Sequence, residues 1–188
     1  LVNFGIKEIV INVSWLSELI MSQIGDGTKY GAKIHWSEEV HPLETGGGIY
    51  KALDILGNKP FITINGDIWI KPQAIKLLLD NYKVHMPGLL LLAKNPDHNK
   101  GGDFSLNEKT VFINEGFNDY TYSGLSVINP RVLENHVSRD YPFDLWGTIL
   151  TPLIKSSKVT GHFYDSFWLD VGTPDRLKLA RTVLKDQN

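Results

Sequence analysis

Short apolar runs alternate with segments of helical periodicity through the first half of the chain. The runs at 8–13, 61–65 and 88–93 are rich in branched apolar residues, which is typical of buried strands. Between them, the segments at 14–24 and 72–83 repeat apolar residues every three or four positions, which predicts amphipathic helices. Strands joined by such helices favour right-handed crossovers and a mostly parallel sheet that helices cover on both faces.

The second half has shorter apolar runs that lie closer together. The runs at 104–106, 111–113 and 122–128 stand between turn residues and predict hairpin-prone strands. A last strand is expected at 167–170, and Pro174 then opens a C-terminal helix. The whole pattern predicts an α/β fold with a mixed, mostly parallel sheet.

Length and composition are those of one globular domain. The chain has 188 residues, of which 42% are hydrophobic and 21% charged, so it can bury a core. A formal net charge of −2 argues against a general nucleic-acid binder, which needs a basic face. The absence of cysteine excludes disulfides, thiolate metal sites and a cysteine nucleophile.

Neither a membrane span nor a secretory signal is expected from this sequence. The apolar run at 89–93 is far shorter than the roughly 18 residues that a transmembrane helix needs. The N-terminus lacks the basic region and continuous apolar region of a signal peptide. We therefore expect a cytoplasmic protein with no membrane partner.

Two aspartates follow strand-like runs that are far apart in the chain. Asp67 comes after the run at 61–66, and Asp170 comes after the run at 167–169. Carboxylates at strand ends suit a hard divalent cation beside a phosphate ester, so phosphoryl or nucleotidyl transfer is the first hypothesis. The alternative is that each aspartate is a turn residue at the end of its strand.

A glycine-rich segment at 44–48 precedes the helix predicted at 49–56. Its three glycines allow close approach of backbone N–H groups to a ligand, and the helix N-terminus is partly positive. These properties suit a phosphate or the edge of a nucleobase. The spacing matches neither a Walker A loop nor G-x-G-x-x-G, and a purely structural start of the helix is the alternative.

Three motifs occur in an order and spacing that resemble the sugar-1-phosphate nucleotidylyltransferases. They are Leu-Glu-Thr-Gly-Gly-Gly at 43–48, Asn-Gly-Asp at 65–67 and Trp-Leu-Asp-Val-Gly-Thr-Pro at 168–174. The segments at 99–104 and 122–124 are similar to one branch, the N-acetylmuramate-1-phosphate uridylyltransferases of bacterial cell-wall recycling. The resemblance covers essentially the whole chain. It implies a Rossmann-like, glycosyltransferase-A-like three-layer sandwich with a mixed, mostly parallel central sheet.

The resemblance also implies an Mg²⁺-dependent enzyme of peptidoglycan recycling. It would join a nucleoside triphosphate, UTP, to a sugar 1-phosphate, N-acetylmuramate 1-phosphate, and release pyrophosphate. Asp67 and Asp170 would be the catalytic residues, as ligands of Mg²⁺. The other residues that match the family's motifs are Glu44, Thr45, Gly46, Gly47 and Asn65 for the nucleotide, and Gly102, Asp103, Ser123 and Gly124 for the sugar.

Two features of the family have no counterpart in this sequence. These are the family's first strand and the Leu-Ala-Ala-Gly-x-Gly-x-Arg loop that wraps the triphosphate. We therefore expect a single nucleotidyltransferase domain at 1–188 that lacks the family's first βα unit, about 30 residues. A sheet without its central strand would favour homo-oligomers. The alternatives are a non-catalytic remnant that binds a nucleotide sugar, and a guanylyl- or thymidylyltransferase acting on mannose or glucose 1-phosphate.

Overall fold

The computed structural model describes residues 1–134 and 142–185 and places them in two compact units. The first unit contains Leu1–Phe61 and Asn129–Leu153, and the second contains Ile62–Ile128 and the chain from Ile154 onward. The single domain expected at 1–188 stays a prediction, and its residues 135–141 and 186–188 lie outside the described part.

The first unit is built on a two-stranded parallel sheet and two helices. Its main elements are β1 (Glu8–Val13), α1 (Ser17–Ile24), β2 (Lys33–Glu38) and α2 (Glu44–Leu56). The parallel register places Glu8 opposite Lys33 and Val13 opposite Glu38. The unit also contains 3-10 turns at Val2–Phe4, Thr28–Tyr30 and Pro130–Leu133, and a π-helical turn at Trp146–Leu150.

The second unit contains most of the strands. In chain order the elements are β3 (Phe61–Ile64), β4 (Ile68–Ile70), α3 (Gln73–Asn81), β5 (Gly88–Lys94), a 3-10 turn (Asp97–Asn99), β6 (Ser105–Asn107), β7 (Thr110–Phe112), β8 (Tyr120–Ile128), α4 (Thr151–Lys155), β9 (Thr160–Phe163), β10 (Trp168–Asp170) and α5 (Pro174–Lys185). Helix α4 contains the boundary between the two units, because the first unit ends at Leu153. Six strands form one sheet in the order β3-β8-β5-β9-β7-β6, and β4 pairs with β10 in a separate ribbon.

The α/β class and the mixed sheet are confirmed. Parallel pairing, expected to dominate, joins β1 to β2 and β5 to β9, whereas β5–β8, β6–β7, β7–β9 and β4–β10 are antiparallel. The β6–β7 pair is antiparallel because only Glu108 and Lys109 separate the two strands. Glu108 has φ 54, a left-handed conformation that a two-residue hairpin turn requires.

The core of the second unit lies around β5, whose residues Leu89 to Leu92 are at most 2% exposed. Leu89 and Leu91 belong to a buried cluster with Ala74 and Leu78 of α3. The strand is apolar at successive positions because both of its faces are covered. Among the helices of the described residues, none is both long enough and apolar enough to cross a bilayer.

A chain of partly buried hydroxyl groups connects β3 to β8 in the same sheet. The Tyr122 hydroxyl lies 2.9 Å from Ser126 Oγ, and Ser126 Oγ lies 2.5 Å from Thr63 Oγ1. Burial raises the pKa of the Tyr122 hydroxyl, an effect that its hydrogen bonding to Ser126 and Thr63 only partly offsets. The neutral tyrosine is therefore the form that the fold accommodates.

We expect Leu91→Ala to lower the free energy of unfolding by about 2–5 kcal/mol, because it leaves a cavity in the core. Leu79→Ala removes the same atoms from a side chain of α3 that is 45% exposed and should cost much less. Urea unfolding followed by circular dichroism measures both. Equal losses in the two variants would contradict the placement of the core.

The raised pKa of Tyr122 predicts a loss of stability at alkaline pH. Its contribution is fully present below about pH 10, where tyrosine in the unfolded chain ionises, and is lost as the pH rises toward the higher folded-state pKa. Urea unfolding between about pH 9 and 11 should show a shallower decline for Tyr122→Phe than for the wild type. Tyr30→Phe, at an exposed position, is the matched control, and identical slopes in both variants would contradict the prediction.

Candidate active site

Pairing of β4 with β10 brings the two predicted catalytic aspartates together. Asp67 directly precedes β4, and Asp170 is the last residue of β10, opposite Ile68 in the antiparallel register. The backbone carbonyl of Asp67 accepts a hydrogen bond of 2.7 Å from the Val171 amide, which continues the ribbon past its last pair. Both aspartates therefore lie at the same end of the β4–β10 ribbon.

The two carboxylates converge on Gly172. A Cβ atom added to this glycine would lie 2.7 Å from Asp67 Oδ2 and 3.1 Å from Asp170 Oδ1. Gly172 does not have a positive φ, so the backbone conformation alone does not require glycine here. A side chain at this position would enter the space between the carboxylates, and the Asp67 carboxylate would have to move.

The two carboxylates differ in their surroundings. Asp170 is half-buried, and its Oδ1 accepts a hydrogen bond of 2.8 Å from the Gly172 backbone amide. The same oxygen forms an ion pair with Arg176 Nη2, at 3.2 Å. Its second oxygen, Oδ2, lies 3.5 Å from His98 Nε2. Asp67 is exposed, and its carboxylate contacts no hydrogen-bond or ion-pair partner in residues 1–134 and 142–185. Asp170 is held in position, whereas Asp67 is open to a ligand.

The first turn of α5 places Arg176 against Asp170. Thr173 Oγ1 accepts a hydrogen bond of 3.3 Å from the Arg176 amide, and Pro174 occupies the first helical position. Arg176 and His98 were not among the predicted site residues. Arg176 lies in the first turn of the helix that starts directly after the Asp170 motif, and that position is a usable sequence signal. His98 lies in the 3-10 turn at Asp97–Asn99 and has no such signal.

The side chains present fit a magnesium ion. Mg²⁺ prefers carboxylate oxygens and is usually held by one or two of them, together with waters and substrate phosphates. Asp67 and Asp170 supply two such carboxylates around one point, which a Cβ atom would otherwise fill. No group of three or more His, Cys, Asp or Glu side chains that could hold a metal occurs in the described residues.

Asn65 and Gly124, both predicted site residues, contact each other beside Asp67. The backbone N–H of Asn65 donates a hydrogen bond of 2.8 Å to the backbone carbonyl of Gly124. Gly124 has φ 81, and a Cβ atom there would lie 2.8 Å from Ile68 Cγ2 and 3.1 Å from Asn65 Cβ. The register between β5 and β8 shifts in this region, as expected for a bulge that changes the direction of a strand.

The neighbouring Ser123 is fully buried and has an unusual hydroxyl group. Its carbonyl accepts a hydrogen bond of 2.7 Å from Trp168 Nε1, which joins β8 to β10. Its Oγ has no hydrogen-bond partner in the described residues. Ser123 is thus tied to the strand that ends in Asp170.

Gly102 and Asp103, predicted to line a sugar pocket, belong to a polar network in the second unit. Asp103 Oδ1 accepts a hydrogen bond of 2.9 Å from Asn99 Nδ2, and Oδ2 accepts one of 2.8 Å from the Tyr122 amide. Gly102 has φ 66, and a Cβ atom there would overlap the Asn118 carbonyl oxygen. Both residues shape the loop after β5, and their contact with a sugar stays a prediction.

The predicted nucleotide-binding residues of the glycine segment lie in the first unit. The helix begins at Glu44 rather than at Ile49, so the glycines form its first turns instead of a preceding loop. The Gly46 and Gly47 amides donate hydrogen bonds of 3.0 and 3.2 Å to the Phe143 carbonyl, and a Cβ atom at Gly46 would overlap the Phe143 ring. The helix can include the glycines because the Phe143 carbonyl accepts hydrogen bonds from backbone amides of the first turn, which would otherwise lack partners.

Glu44 and Thr45 remain exposed at the start of α2. Glu44 has φ 58, a conformation that is unfavourable for a residue with a side chain. The start of α2 is also held by Glu39, whose Oε2 accepts a hydrogen bond of 2.9 Å from the Leu43 amide. Glu39 Oε1 in turn accepts one of 3.0 Å from Asn12 Nδ2, so a side chain within β1 and one directly after β2 hold the start of α2. Sequence inspection missed both residues because neither stands in a motif.

Comparison with known proteins places the chain in a family. The family model described as nucleotidyl transferase matches residues 1–102. The chain is 36% identical to the N-acetylmuramate alpha-1-phosphate uridylyltransferase of Neisseria meningitidis, over 95% of this chain and 79% of that protein. The chain therefore belongs to the nucleotidyl transferase family.

Another relative agrees with this family, and a solved structure agrees with the expected fold. The mannose-1-phosphate guanyltransferase of Saccharomyces cerevisiae is 28% identical over 98% of this chain, which spans 53% of that protein. The crystal structure of HddC from Yersinia pseudotuberculosis complexed with GMP-PN is similar in fold, with a TM-score of 0.76 and 19% identity over 97% of this chain and 80% of that one. The relatives named as enzymes are sugar-1-phosphate nucleotidyltransferases, and the Rossmann-like fold expected from the sequence is confirmed.

Proposed function

We propose that this protein transfers a uridylyl group from UTP to N-acetylmuramate 1-phosphate and releases pyrophosphate. The relative from Neisseria meningitidis, whose name specifies this sugar phosphate, supports the choice of substrates. We assign this reaction to peptidoglycan recycling in the cytoplasm. The homo-oligomer expected from the sequence stays a prediction.

The observation that carries the proposal is the convergence of Asp67 and Asp170 on Gly172. These two carboxylates would hold Mg²⁺, which when bound offsets the negative charge of the phosphate groups. The Gly172 amide fixes Asp170 Oδ1, so one ligand is preorganised. The exposed carboxylate of Asp67 leaves room for the phosphates of a substrate.

The reaction needs no nucleophile from the protein. An oxygen of the sugar phosphate attacks the α-phosphorus of the nucleotide, a new P–O bond forms there, and the bond to pyrophosphate breaks. The chain's contribution is to orient the two substrates and to place charge correctly. In this proposal Glu44, Thr45, Gly46, Gly47 and Asn65 contact the nucleotide, and Gly102, Asp103, Ser123 and Gly124 contact the sugar.

Two alternatives remain. The relative from Saccharomyces cerevisiae, named a mannose-1-phosphate guanyltransferase, favours GTP and mannose 1-phosphate. The second alternative is a protein that binds a nucleotide sugar without catalysis. Thermal stabilisation by a UDP-sugar but not by UTP would indicate the second alternative.

Pyrophosphate release tests the proposal. We expect release with UTP, MgCl₂ and N-acetylmuramate 1-phosphate, and slower release with GTP or dTTP paired with mannose or glucose 1-phosphate. Asp67→Asn and Asp170→Asn should each lower kcat/KM by at least about 100-fold, because each removes a charged metal ligand.

Circular dichroism of every variant shows whether it is folded. If folded wild-type protein released no pyrophosphate above background with any of these pairs, this chain would not be the proposed enzyme. Near-normal turnover in either asparagine variant would remove the two-aspartate site.

Gly172→Ala tests the space between the carboxylates. The new methyl group would lie 2.7 Å from Asp67 Oδ2, so we expect Mn²⁺, used as a probe for Mg²⁺, to bind at least about tenfold more weakly. Gly66→Ala is the matched control, since it adds the same methyl group next to Asp67 with nothing within 4 Å. Isothermal titration measures both affinities, and equal binding by the two variants would refute the assigned geometry.

A further inference from the structure

The guanidinium group of Arg176 lies at the point where the two carboxylates meet. A Cβ atom at Gly172 would lie 3.3 Å from Arg176 Nη2, as well as 2.7 Å from Asp67 Oδ2 and 3.1 Å from Asp170 Oδ1. Arg176 Nη2 is 3.2 Å from Asp170 Oδ1, the oxygen that also faces Asp67 across the glycine. Two anionic groups and one cationic group therefore surround a single small space.

Charge balance gives this arginine a definite role at the pair. Two carboxylates that lie this close together repel each other, and a nearby cation offsets the repulsion. An arginine stays protonated in proteins, so Arg176 supplies a positive charge whatever the metal content of the site. His98 Nε2 contacts the other oxygen of Asp170, Oδ2, at 3.5 Å.

The guanidinium group of Arg176 makes only part of the hydrogen bonds available to it. Its Nε atom is buried and has no hydrogen-bond partner in the described residues, and its ion pair with Asp170 joins one nitrogen to one oxygen. Arginine and carboxylate are most strongly bound when two parallel hydrogen bonds form. A buried donor without an acceptor costs free energy, which weakens the hold of Arg176 on Asp170. A cation of higher charge can therefore displace the guanidinium group from the carboxylate.

We propose that Arg176 is an exchangeable counter-ion of the carboxylate pair. It neutralises Asp170 when no metal is bound and competes with a divalent cation for Asp170 Oδ1. Arg176 thereby sets the metal affinity of the site by acting on Asp170. This inference rests on the proposed function in one respect, namely that Asp67 and Asp170 bind the metal.

Mn²⁺ binding to nucleotide-free protein, measured by the electron paramagnetic resonance signal of free Mn²⁺, tests the proposal. Arg176→Gln should bind Mn²⁺ about tenfold more tightly than the wild type, because a positive charge beside the cation is removed. Arg176→Met, which keeps much of the apolar stem, should do the same and serves if the glutamine variant does not fold. A residue that only stabilised the local structure would weaken metal binding when replaced.

Arg181→Gln is the matched control, because it removes the same charge from an exposed position on the same helix. Its Mn²⁺ affinity should stay within about twofold of the wild type, since salt screens exposed charges. Unchanged or weaker binding in the folded Arg176 variants would overturn the counter-ion role, as would equal tightening in Arg181→Gln.

The asparagine variants separate this inference from the proposed function. If Asp67→Asn and Asp170→Asn abolish Mn²⁺ binding but the Arg176 variants do not strengthen it, the counter-ion role alone is wrong. If the asparagine variants leave Mn²⁺ binding unchanged, the metal assignment is wrong and the counter-ion role falls with it.

Discussion

The antiparallel pairing of β4 with β10 is the contact on which the candidate site depends. Each strand has only three residues, so the ribbon needs other support. Trp168 provides it at one end through the hydrogen bond from its indole to the Ser123 carbonyl, and its ring packs on the buried cluster around β5. The position of Asp170 beside Asp67 is therefore a consequence of how the second unit packs its core.

Several glycines of the sequence motifs are explained by the groups that a side chain would overlap. Gly172 keeps the space between the carboxylates open, and Gly124 allows β8 to approach Asn65 and Ile68. Gly46 makes room for the Phe143 ring at the start of α2. In each case the residue is small because another group occupies the adjacent volume. The glycine segment of the first unit is therefore explained locally by packing and by its bonds to Phe143.

Charge compensation connects the fold to the chemistry that the family performs. Asp170 is half-buried and accepts bonds from the Gly172 amide and from Arg176, whereas Asp67 is exposed and unpaired within the described residues. One carboxylate is thus preorganised by the protein, and the other is open to a ligand. Such an unequal pair suits a metal that enters together with phosphate groups, because neither ligand must be fully desolvated beforehand.

The sequence by itself determined the α/β class, most of the strands and the two aspartates as a candidate pair. Strand β1 matches the predicted run at 8–13, and β5 extends the predicted run at 88–93 by one residue, because a continuous apolar segment between turn signals has few other stable conformations. The start of α2 and the antiparallel partners of β8 and β10 were not predicted. These depend on Phe143 and on strands distant in the chain, which leave no local periodic signal. The tertiary structure alone decided that Arg176 and Gly172 share the space between Asp67 and Asp170, since convergence of side chains is set by packing rather than by pattern.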